Sequence, residues 1–343
     1  MKKLLNTLYV TSEDAFLALD GENIVVHFAD DTEKAIPLHL LSSVVSFSYK
    51  GATPALMGKC VQSGVAMAFY TPQGRFLCQV GNETAGNVYL RREQYRRADD
   101  AAQSLAIARN FIAGKLYNAK FVLLRCARDH ALQADAEKLR GAAASLHESL
   151  SACLSAQSDD QLRGVEGSAA SAYFQVFDEM VLREKQAFAF HGRSRRPPLD
   201  RTNALLSFAY SLLTSDCAAA LRGVGLDPYV GFMHVDRPGR KSLALDLVEE
   251  LRPVCADRFV LTLVNNRVLS PGDFVVQESG AVLLTDEARR TFLSEWQKRK
   301  RETLTHPYLD EKIEWGLVPH VQALLLARYV RGDLDQYPPF FWK

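Results

Sequence analysis

The sequence has few of the features that mark several large classes of protein. Its 343 residues include six cysteines, which are far apart and never form a CxxC pair. That spacing argues against a zinc ribbon or a thioredoxin-like redox site. No apolar run approaches the ~20 residues of a membrane span, and the start Met1-Lys2-Lys3-Leu4-Leu5 has no secretory apolar region. We therefore expect a cytoplasmic, globular protein with reduced and mostly structural cysteines.

Excess charge and the common phosphate-binding loops are also missing. The formal net charge is only +1, so any nucleic-acid surface must be local rather than a property of the whole chain. The sequence contains no Walker loop, no GxGxxG loop and no GxSxG elbow, which leaves nucleotide-binding and serine-hydrolase functions with little support. Local basic clusters do occur, at residues 91–97, 193–196, 237–241 and 289–301. Any one of them alone is more typical of a solvated face.

The pattern of apolar residues changes once along the chain. From residue 4 to about 82, short alternating apolar runs separated by turn residues predict strands, with one helix over about 54–64. From about residue 87 onward, apolar residues recur at helical spacing. We predict an α+β protein with a small N-terminal β-rich domain, residues 1–86, and a larger all-α domain, residues 87–343.

Local signals predict the bounds of several helices. One long helix is expected over 88–128, another over 203–222, and a last one over about 311–331. The stretch 142–160 is rich in Ala, Ser and Gln and predicts a mobile helical connection. The tail 337–342 has two prolines among four aromatic residues, which suggests either a docking peptide or a tail folded onto its own core.

Glu166 lies between two glycines, in the segment Arg163-Gly164-Val165-Glu166-Gly167, ahead of a run of small residues. Glycine inside a helix costs about 1 kcal/mol relative to alanine, so a compensating role is expected at this segment. Small neighbours would let a metal, a phosphate or another backbone come close to Glu166. The segment fits equally well a helix N-terminus that packs tightly against a neighbour.

A second segment joins a histidine to an acidic helix. His234 closes an apolar stretch, and the turn Asp236-Arg237-Pro238-Gly239 brings the chain back into a helix that begins near Ser242. A lone histidine is usually structural, but this turn could place the imidazole and the acids of the helix around one ion. Arg237, Arg240 and Lys241 on the intervening loop would meet phosphates that enter such a site.

The helix after the turn carries three acids on one face. Asp246, Glu249 and Glu250 are related by i+3 and i+4 spacing, and Arg252 relieves only Glu249. Like charges at this spacing repel by a few tenths of a kcal/mol, roughly, per pair. The face is therefore either a solvated surface or one half of a site for a hard cation, which prefers oxygen ligands.

These segments together resemble the CRISPR-associated integrase family, the spacer-acquisition nucleases, and the overall pattern looks closest to type I-C members. The resemblance covers nearly the whole chain. Besides the Glu166 segment, it rests on the runs Gly51-Ala-Thr-Pro-Ala-Leu-Met-Gly58, Thr71-Pro-Gln-Gly-Arg-Phe-Leu77, Asn203-Ala-Leu-Leu-Ser-Phe208, Leu226-Asp-Pro-Tyr-Val-Gly-Phe-Met-His234 and Leu243-Ala-Leu-Asp-Leu247. Each run alone is weak, but together they are specific.

The resemblance implies an N-terminal β-domain that dimerises and a helical catalytic domain. It implies a site for Mg²⁺ or Mn²⁺ formed by Glu166, His234, Asp246 and Glu249, where Glu249 stands at a position that is aspartate in some members and Glu250 is the alternative. The implied partners are double-stranded and branched DNA and a small ferredoxin-like protein dimer that bridges two integrase dimers. Candidate DNA contacts are the following basic residues: Arg163, Arg193, Arg195, Arg196, Arg237, Arg240 and Lys241.

The reaction implied is transesterification, in which a spacer 3′-hydroxyl attacks a phosphodiester at the leader–repeat boundary. Water in place of the hydroxyl would make the same site a nuclease. Two other functions compete with this one: a non-enzymatic DNA-binding scaffold whose acids are merely solvated, and a metal hydrolase of small phosphoesters with a closed pocket.

Overall fold

The computed structural model describes residues 7–41, 43–71, 76–81 and 88–343. They form two compact units, of which the first comprises the described part of 1–86 together with Leu284–Glu302. The second comprises the described part of Asn87–Leu283 together with Thr303–Lys343. The domain boundary predicted at residue 86 therefore misses one segment, Leu284–Glu302, which the sequence analysis assigned to the second domain. The motif at 72–75 and the boundary itself lie outside the described residues.

The first unit contains two sheets and one helix from the N-terminal part of the chain. Its elements are β1 (Thr7–Val10), β2 (Phe16–Asp20), β3 (Asn23–His27), β4 (Glu33–Pro37), β5 (Ser43–Ser46), α1 (Pro54–Gln62), β6 (Ala66–Tyr70) and β7 (Phe76–Val80). One sheet has the order β1-β5-β6-β7, parallel except at β6–β7, and the other is the antiparallel meander β2-β3-β4. Their apolar faces enclose a core that includes Leu17, Val44 and Met67.

The second unit is mostly helical. Its elements, with the helix that returns to the first unit included in chain order, are α2 (Val88–Asp99), α3 (Ala101–Asp129), α4 (Ala136–Ser155), α5 (Asp159–Gln175), α6 (Arg201–Gly223), α7 (Ser242–Arg252), α8 (Arg258–Asn265), β8 (Phe274–Val276), β9 (Val282–Leu284), α9 (Asp286–Arg301), β10 (Thr303–Thr305), β11 (Lys312–Glu314) and α10 (Val318–Arg331). A single π-helical turn, Pro253–Asp257, joins α7 to α8. The mixed α+β fold class is thus confirmed. The prediction that the region after residue 86 is all-α is wrong in detail, because the strand pairs β8–β9 and β10–β11 lie among its helices.

Polar caps account for the helix bounds that apolar spacing alone misplaced. The predicted helix over 88–128 is two helices, because Asp100 leaves the helical conformation and its carboxylate accepts hydrogen bonds from Ala102 N and Gln103 N. The stretch 142–160 is the end of α4 and the start of α5, which Ser158 caps through a hydrogen bond from Gln161 N. The last helix ends at Gly332 as expected, but it begins only at Val318.

Helix α6 is the most apolar long helix that the structure describes. Its length and mean hydropathy would suit a membrane span, and it is the one described helix that meets both conditions. However, 61% of its most apolar 18-residue window is buried inside the protein. Its buried residues include Leu205, Ala209 and Leu213, which makes it a helix of the core.

The aromatic tail folds onto the core of its own unit. Tyr337, Phe340 and Trp342 are at most 9% exposed, so these three side chains are not available to a partner. Tyr337 Oη donates to Glu250 Oε2 at 2.7 Å, and Phe340 N donates to Glu250 Oε1 at 2.5 Å. Of the two alternatives for the tail, the structure shows the one in which the tail packs against the core of its own chain. The docking hypothesis is therefore wrong for these aromatic residues.

The Tyr337–Glu250 hydrogen bond should contribute measurably to stability. Tyr337→Phe removes the hydroxyl that donates to the buried Glu250 Oε2, and we expect a loss of about 1–3 kcal/mol in the free energy of unfolding. Tyr308→Phe is the matched control, because Tyr308 is 51% exposed. Urea unfolding of both variants measures the difference. Equal stability of the two would contradict this role of the tail.

Candidate active site

Asp246 anchors the loop that carries His234. Its carboxylate is completely buried in helix α7. Oδ2 accepts hydrogen bonds from Phe232 N at 2.7 Å and Met233 N at 3.1 Å, and Oδ1 accepts one from His234 N at 3.0 Å. Three backbone N–H groups that would otherwise be unpaired in a buried loop are thus satisfied by one ionised side chain.

The same carboxylate orients the imidazole ring. His234 Nδ1 lies 2.7 Å from Asp246 Oδ1. Because a carboxylate can only accept, Nδ1 carries the proton and donates it to Asp246. In the neutral ring, Nε2 is then the free lone pair, and His234 lines an open cleft. A histidine held in this tautomer by a carboxylate is a typical metal ligand.

Gly231 allows the loop to approach the helix this closely. A Cβ at this position would lie 2.8 Å from Ser242 Cβ and 2.9 Å from Asp246 Oδ2. Neither contact is tolerable, since Ser242 sits at the start of α7 and Asp246 is held by three N–H groups. Gly231 is therefore required by close packing, a role that its place in the motif Val-Gly-Phe-Met-His did not reveal.

The carboxylates of Glu166 and Glu249 both contact the same lysine, Lys115. Glu166 projects from α5 and Glu249 from α7, while Lys115 comes from the middle of α3. Lys115 Nζ donates a hydrogen bond to Glu166 Oε1 and lies 2.6 Å from Glu249 Oε2. Glu249 Oε1 accepts from Arg252 Nη1 at 3.1 Å, so Arg252 relieves Glu249 as its spacing indicated.

The two cations keep Glu249 ionised. Burial alone would raise the pKa of this carboxyl, but Arg252 and Lys115 outweigh burial and lower the pKa to about 2. The carboxylate is therefore charged throughout the physiological range. A charged oxygen is the form that a hard cation binds.

Glu250 lies outside the cleft. Its carboxyl is fully buried and accepts from Gln322 Nε2 at 2.6 Å, besides the two bonds to the tail. The three acids of α7 thus point to three different places: Asp246 to the His234 loop, Glu249 to the cleft, and Glu250 to the tail. The alternative in which Glu250 replaces Glu249 at the site conflicts with these contacts.

The cleft has a volume of about 770 Å³. Its lining brings together Glu166, His234, Glu249 and Arg252, with His191, Arg193 and Arg195 from the loop before α6. Of the other predicted DNA contacts, Arg163 donates to Met233 O at 3.1 Å. The lining does not include Arg196, Arg237, Arg240 or Lys241. The loop 236–241, which was expected to meet phosphates at this site, contributes no residue to the lining of the cleft.

The donor chemistry fits a divalent cation. Two carboxylates and one imidazole nitrogen line the same cleft, a donor set that suits Mg²⁺ or Mn²⁺. Within the residues that the structure describes, no three His, Cys, Asp or Glu side chains already stand as a complete ligand set. The Lys115 ammonium contacts both glutamates. Glu249 Oε2 is buried and makes no hydrogen bond of good geometry, although Lys115 Nζ is close to it.

Asp246 does not fit the predicted role of a direct ligand. Both of its oxygens are occupied by N–H donors, and it is shut off from solvent. Binding an ion would require the loop at 232–234 to give up its hydrogen bonds. The contacts instead give Asp246 the task of orienting His234.

Lys115 was missed from the sequence, although a signal was present. In α3 it occupies the row of Ala108, Phe111, Ala119 and Val122, all of which are buried. A lysine in an otherwise apolar row either reaches solvent past its neighbours or pairs with an acid inside. Which acids pair with Lys115 depends on the fold, and they are Glu166 and Glu249.

The predicted tight packing at the glycines 164 and 167 is not found, since a Cβ at either would meet no atom within 4 Å.

Comparisons with known proteins show the family to which the chain belongs. Residues 8–298 match a family model described as CRISPR associated protein Cas1. The chain is 48% identical to "CRISPR-associated endonuclease Cas1 1" of Chlorobaculum tepidum and 51% identical to "CRISPR-associated endonuclease Cas1 2" of Rhodospirillum rubrum. In both pairs the match covers 100% of each chain.

Solved structures share the fold at lower identity. A Cas1 protein from Thermotoga maritima superposes with a TM-score of 0.83 at 22% identity, over 97% of this chain and 99% of that one. A casposase bound to its integration product also gives a TM-score of 0.83 at 22% identity, over 98% and 93% of the two chains. These likenesses establish the fold of the whole chain.

Asp246→Asn tests the anchoring role. Asparagine offers one acceptor oxygen, and its amide would face backbone N–H groups that are also donors, so we expect a loss of about 1–3 kcal/mol in the free energy of unfolding. Asp335→Asn, at an exposed position, is the matched control and should leave stability unchanged. Thermal and urea unfolding measure both. A stable Asp246→Asn variant would mean that the loop does not depend on this carboxylate.

Proposed function

The chain belongs to the Cas1 family of CRISPR-associated proteins, and we propose from that premise that its cleft is the active site of a divalent-metal-dependent DNA endonuclease and integrase. The observation that carries the proposal is the convergence of Glu166, Glu249 and His234 on one cleft with arginines at its edge. We further propose the finer features of the resemblance: a type I-C-like member that acts in the cytoplasm.

We propose that Glu166, Glu249 and His234 Nε2 hold one Mg²⁺ or Mn²⁺ ion. When bound there, such an ion stabilises the charge that develops on a scissile phosphate. Asp246 keeps His234 Nδ1 protonated and so presents Nε2 as the ligand atom. Arg252 stays paired with Glu249, which holds that carboxylate in place.

The proposed reaction is an in-line exchange of phosphodiesters. The 3′-hydroxyl of a spacer strand gives up its proton to solvent, and its oxygen forms a bond to phosphorus at the leader–repeat boundary. The bond to the leader 3′-oxygen breaks, and that oxygen takes a proton from solvent and leaves as a hydroxyl. Water in place of the spacer hydroxyl gives hydrolysis, and the reverse reaction separates branched DNA. Arg195, which is exposed and lines the cleft, holds the DNA backbone for the attack. Arg193 also lines the cleft, but its guanidinium donates to Asn203 Oδ1 and Ser207 Oγ, so it supports the loop before α6.

The proposed assembly contains further partners. We propose a homodimer formed through the N-terminal β-domain, double-stranded or branched DNA as substrate, and a small ferredoxin-like partner dimer that bridges two integrase dimers. The relatives' names support a CRISPR nuclease, and the partners rest on the family resemblance.

Removing a ligand should abolish strand transfer. Glu166→Gln, Glu249→Gln and His234→Ala each delete one donor, and we expect at least about a hundredfold loss of Mn²⁺-dependent transfer on a branched substrate with DNA binding retained. Glu148→Gln and His147→Ala, both exposed on α4, are the matched controls. Full activity in any one of these three variants would contradict the assignment of that residue as a metal ligand. Absence of metal-dependent turnover in the unmutated protein would favour the DNA-binding scaffold instead.

Arg195 should contribute through its charge. It is exposed and lines the cleft, so Arg195→Gln should weaken binding of DNA of any sequence and reduce the slope of log K against log salt by about 1. Arg140→Gln, an exposed arginine on α4, is the control and should keep the slope. Fluorescence anisotropy at several salt concentrations measures both. An unchanged slope for Arg195→Gln would remove this residue from the interface.

A further inference from the structure

Lys115 is a buried cation that contacts two of the proposed ligands, Glu166 and Glu249. Its side chain is 5% exposed, and Nζ contacts Glu166 Oε1 and Glu249 Oε2. Burying an ammonium group is costly unless acids surround it, and here two do so at once. The arrangement is therefore a built ion triad and not a surface pair.

The triad occupies the oxygens that an ion would use. Both oxygens of Glu249 are already contacted by cations, Oε1 by Arg252 and Oε2 by Lys115. Glu166 Oε1 is contacted by Lys115 as well. A divalent ion that binds these carboxylates must share them with the ammonium or displace it.

The charges of these side chains also indicate that a divalent ion competes with Lys115 for the two carboxylates. Glu166 and Glu249 carry two negative charges, and Lys115 and Arg252 carry two positive ones, so these four side chains are balanced before any ion binds. Without Lys115 the two carboxylates would repel each other, and of the two cations in direct contact with Glu249 only Arg252 would remain. With Lys115, a bound divalent ion gives these groups excess positive charge, which favours an incoming phosphate.

We propose that Lys115 is an internal counter-cation, which holds Glu166 and Glu249 together while no ion is bound and weakens the affinity of the cleft for a divalent ion. The inference rests on the proposed function, because it takes these two glutamates as ligands. Lys115 is a positioning residue: it acts on the ligands, and its burial keeps it from solvent-borne DNA.

Neutralising Lys115 separates its two effects. In Lys115→Met the carboxylates lose their counter-cation, so in EDTA we expect a melting temperature several degrees below that of the unmutated protein. Removal of one positive charge close to the ion should tighten Mn²⁺ binding by about tenfold or more. Mn²⁺ should therefore raise the melting temperature of Lys115→Met further than that of the unmutated protein.

The experiment is a Mn²⁺ titration by calorimetry and by thermal unfolding, with the unmutated protein and four variants. Lys120→Met is the control, since it makes the same change on α3 five residues later and should behave as the unmutated chain does. Glu166→Gln reports on the metal site itself. Lys115→Gln is a second neutral variant that keeps a polar end in the cleft, for the case in which methionine does not fold.

Each outcome decides between the possibilities. If the unmutated protein binds Mn²⁺, Glu166→Gln does not, and Lys115→Met binds no more tightly than the control, the metal site stands and the counter-cation is rejected. If neither the unmutated protein nor the neutral variants bind Mn²⁺, the metal site itself is rejected. If both neutral variants fold only with Mn²⁺ present, the proposal is supported; if neither folds with or without it, the proposal is overturned.

Discussion

The buried carboxylate of Asp246 is the constraint on which the site depends. It accepts three backbone N–H bonds from residues 232–234 and one from the His234 ring, all within 3.1 Å. Those bonds fix a loop that has no regular secondary structure against the start of α7, and they choose the tautomer of the histidine. The close approach needs Gly231, because any side chain there would collide with Ser242. The position of His234 Nε2 in the cleft follows from this single interaction.

Helix α7 carries three acidic residues within five positions, and their side chains reach three different parts of the structure. Asp246 serves the loop, Glu249 enters the cleft, and Glu250 fixes the tail through Tyr337, Phe340 and Gln322. Lys115 and Arg252 balance the one acid that faces the cleft and keep its pKa low. Because the tail bonds to the neighbour of Glu249, the C-terminal residues help to hold the helix that carries the site, which explains their burial.

The sequence predicted the α+β class and the meeting of Glu166, His234 and Glu249 in one cleft, because apolar spacing and the family-like motifs are local signals. It also predicted Asp246 as a ligand, but in the structure both oxygens of Asp246 accept hydrogen bonds from the loop at 232–234. Spacing along a helix cannot tell a carboxylate that bonds to a loop from one that faces solvent. Lys115 lies 51 residues from Glu166, so only the packing of α3 against α5 and α7 brings them together. Helix bounds failed where a polar cap such as Asp100 overrides apolar periodicity.

Glu166, Glu249 and His234 are proposed to hold one divalent cation, while Asp246 stays outside its ligands. Anomalous diffraction from crystals of the protein soaked in Mn²⁺ would locate such an ion. We expect a single strong peak in the cleft, in direct contact with both glutamates and with His234 Nε2, while Asp246 keeps its bonds to the loop. A peak coordinated by Asp246, or no peak in the cleft, would contradict it.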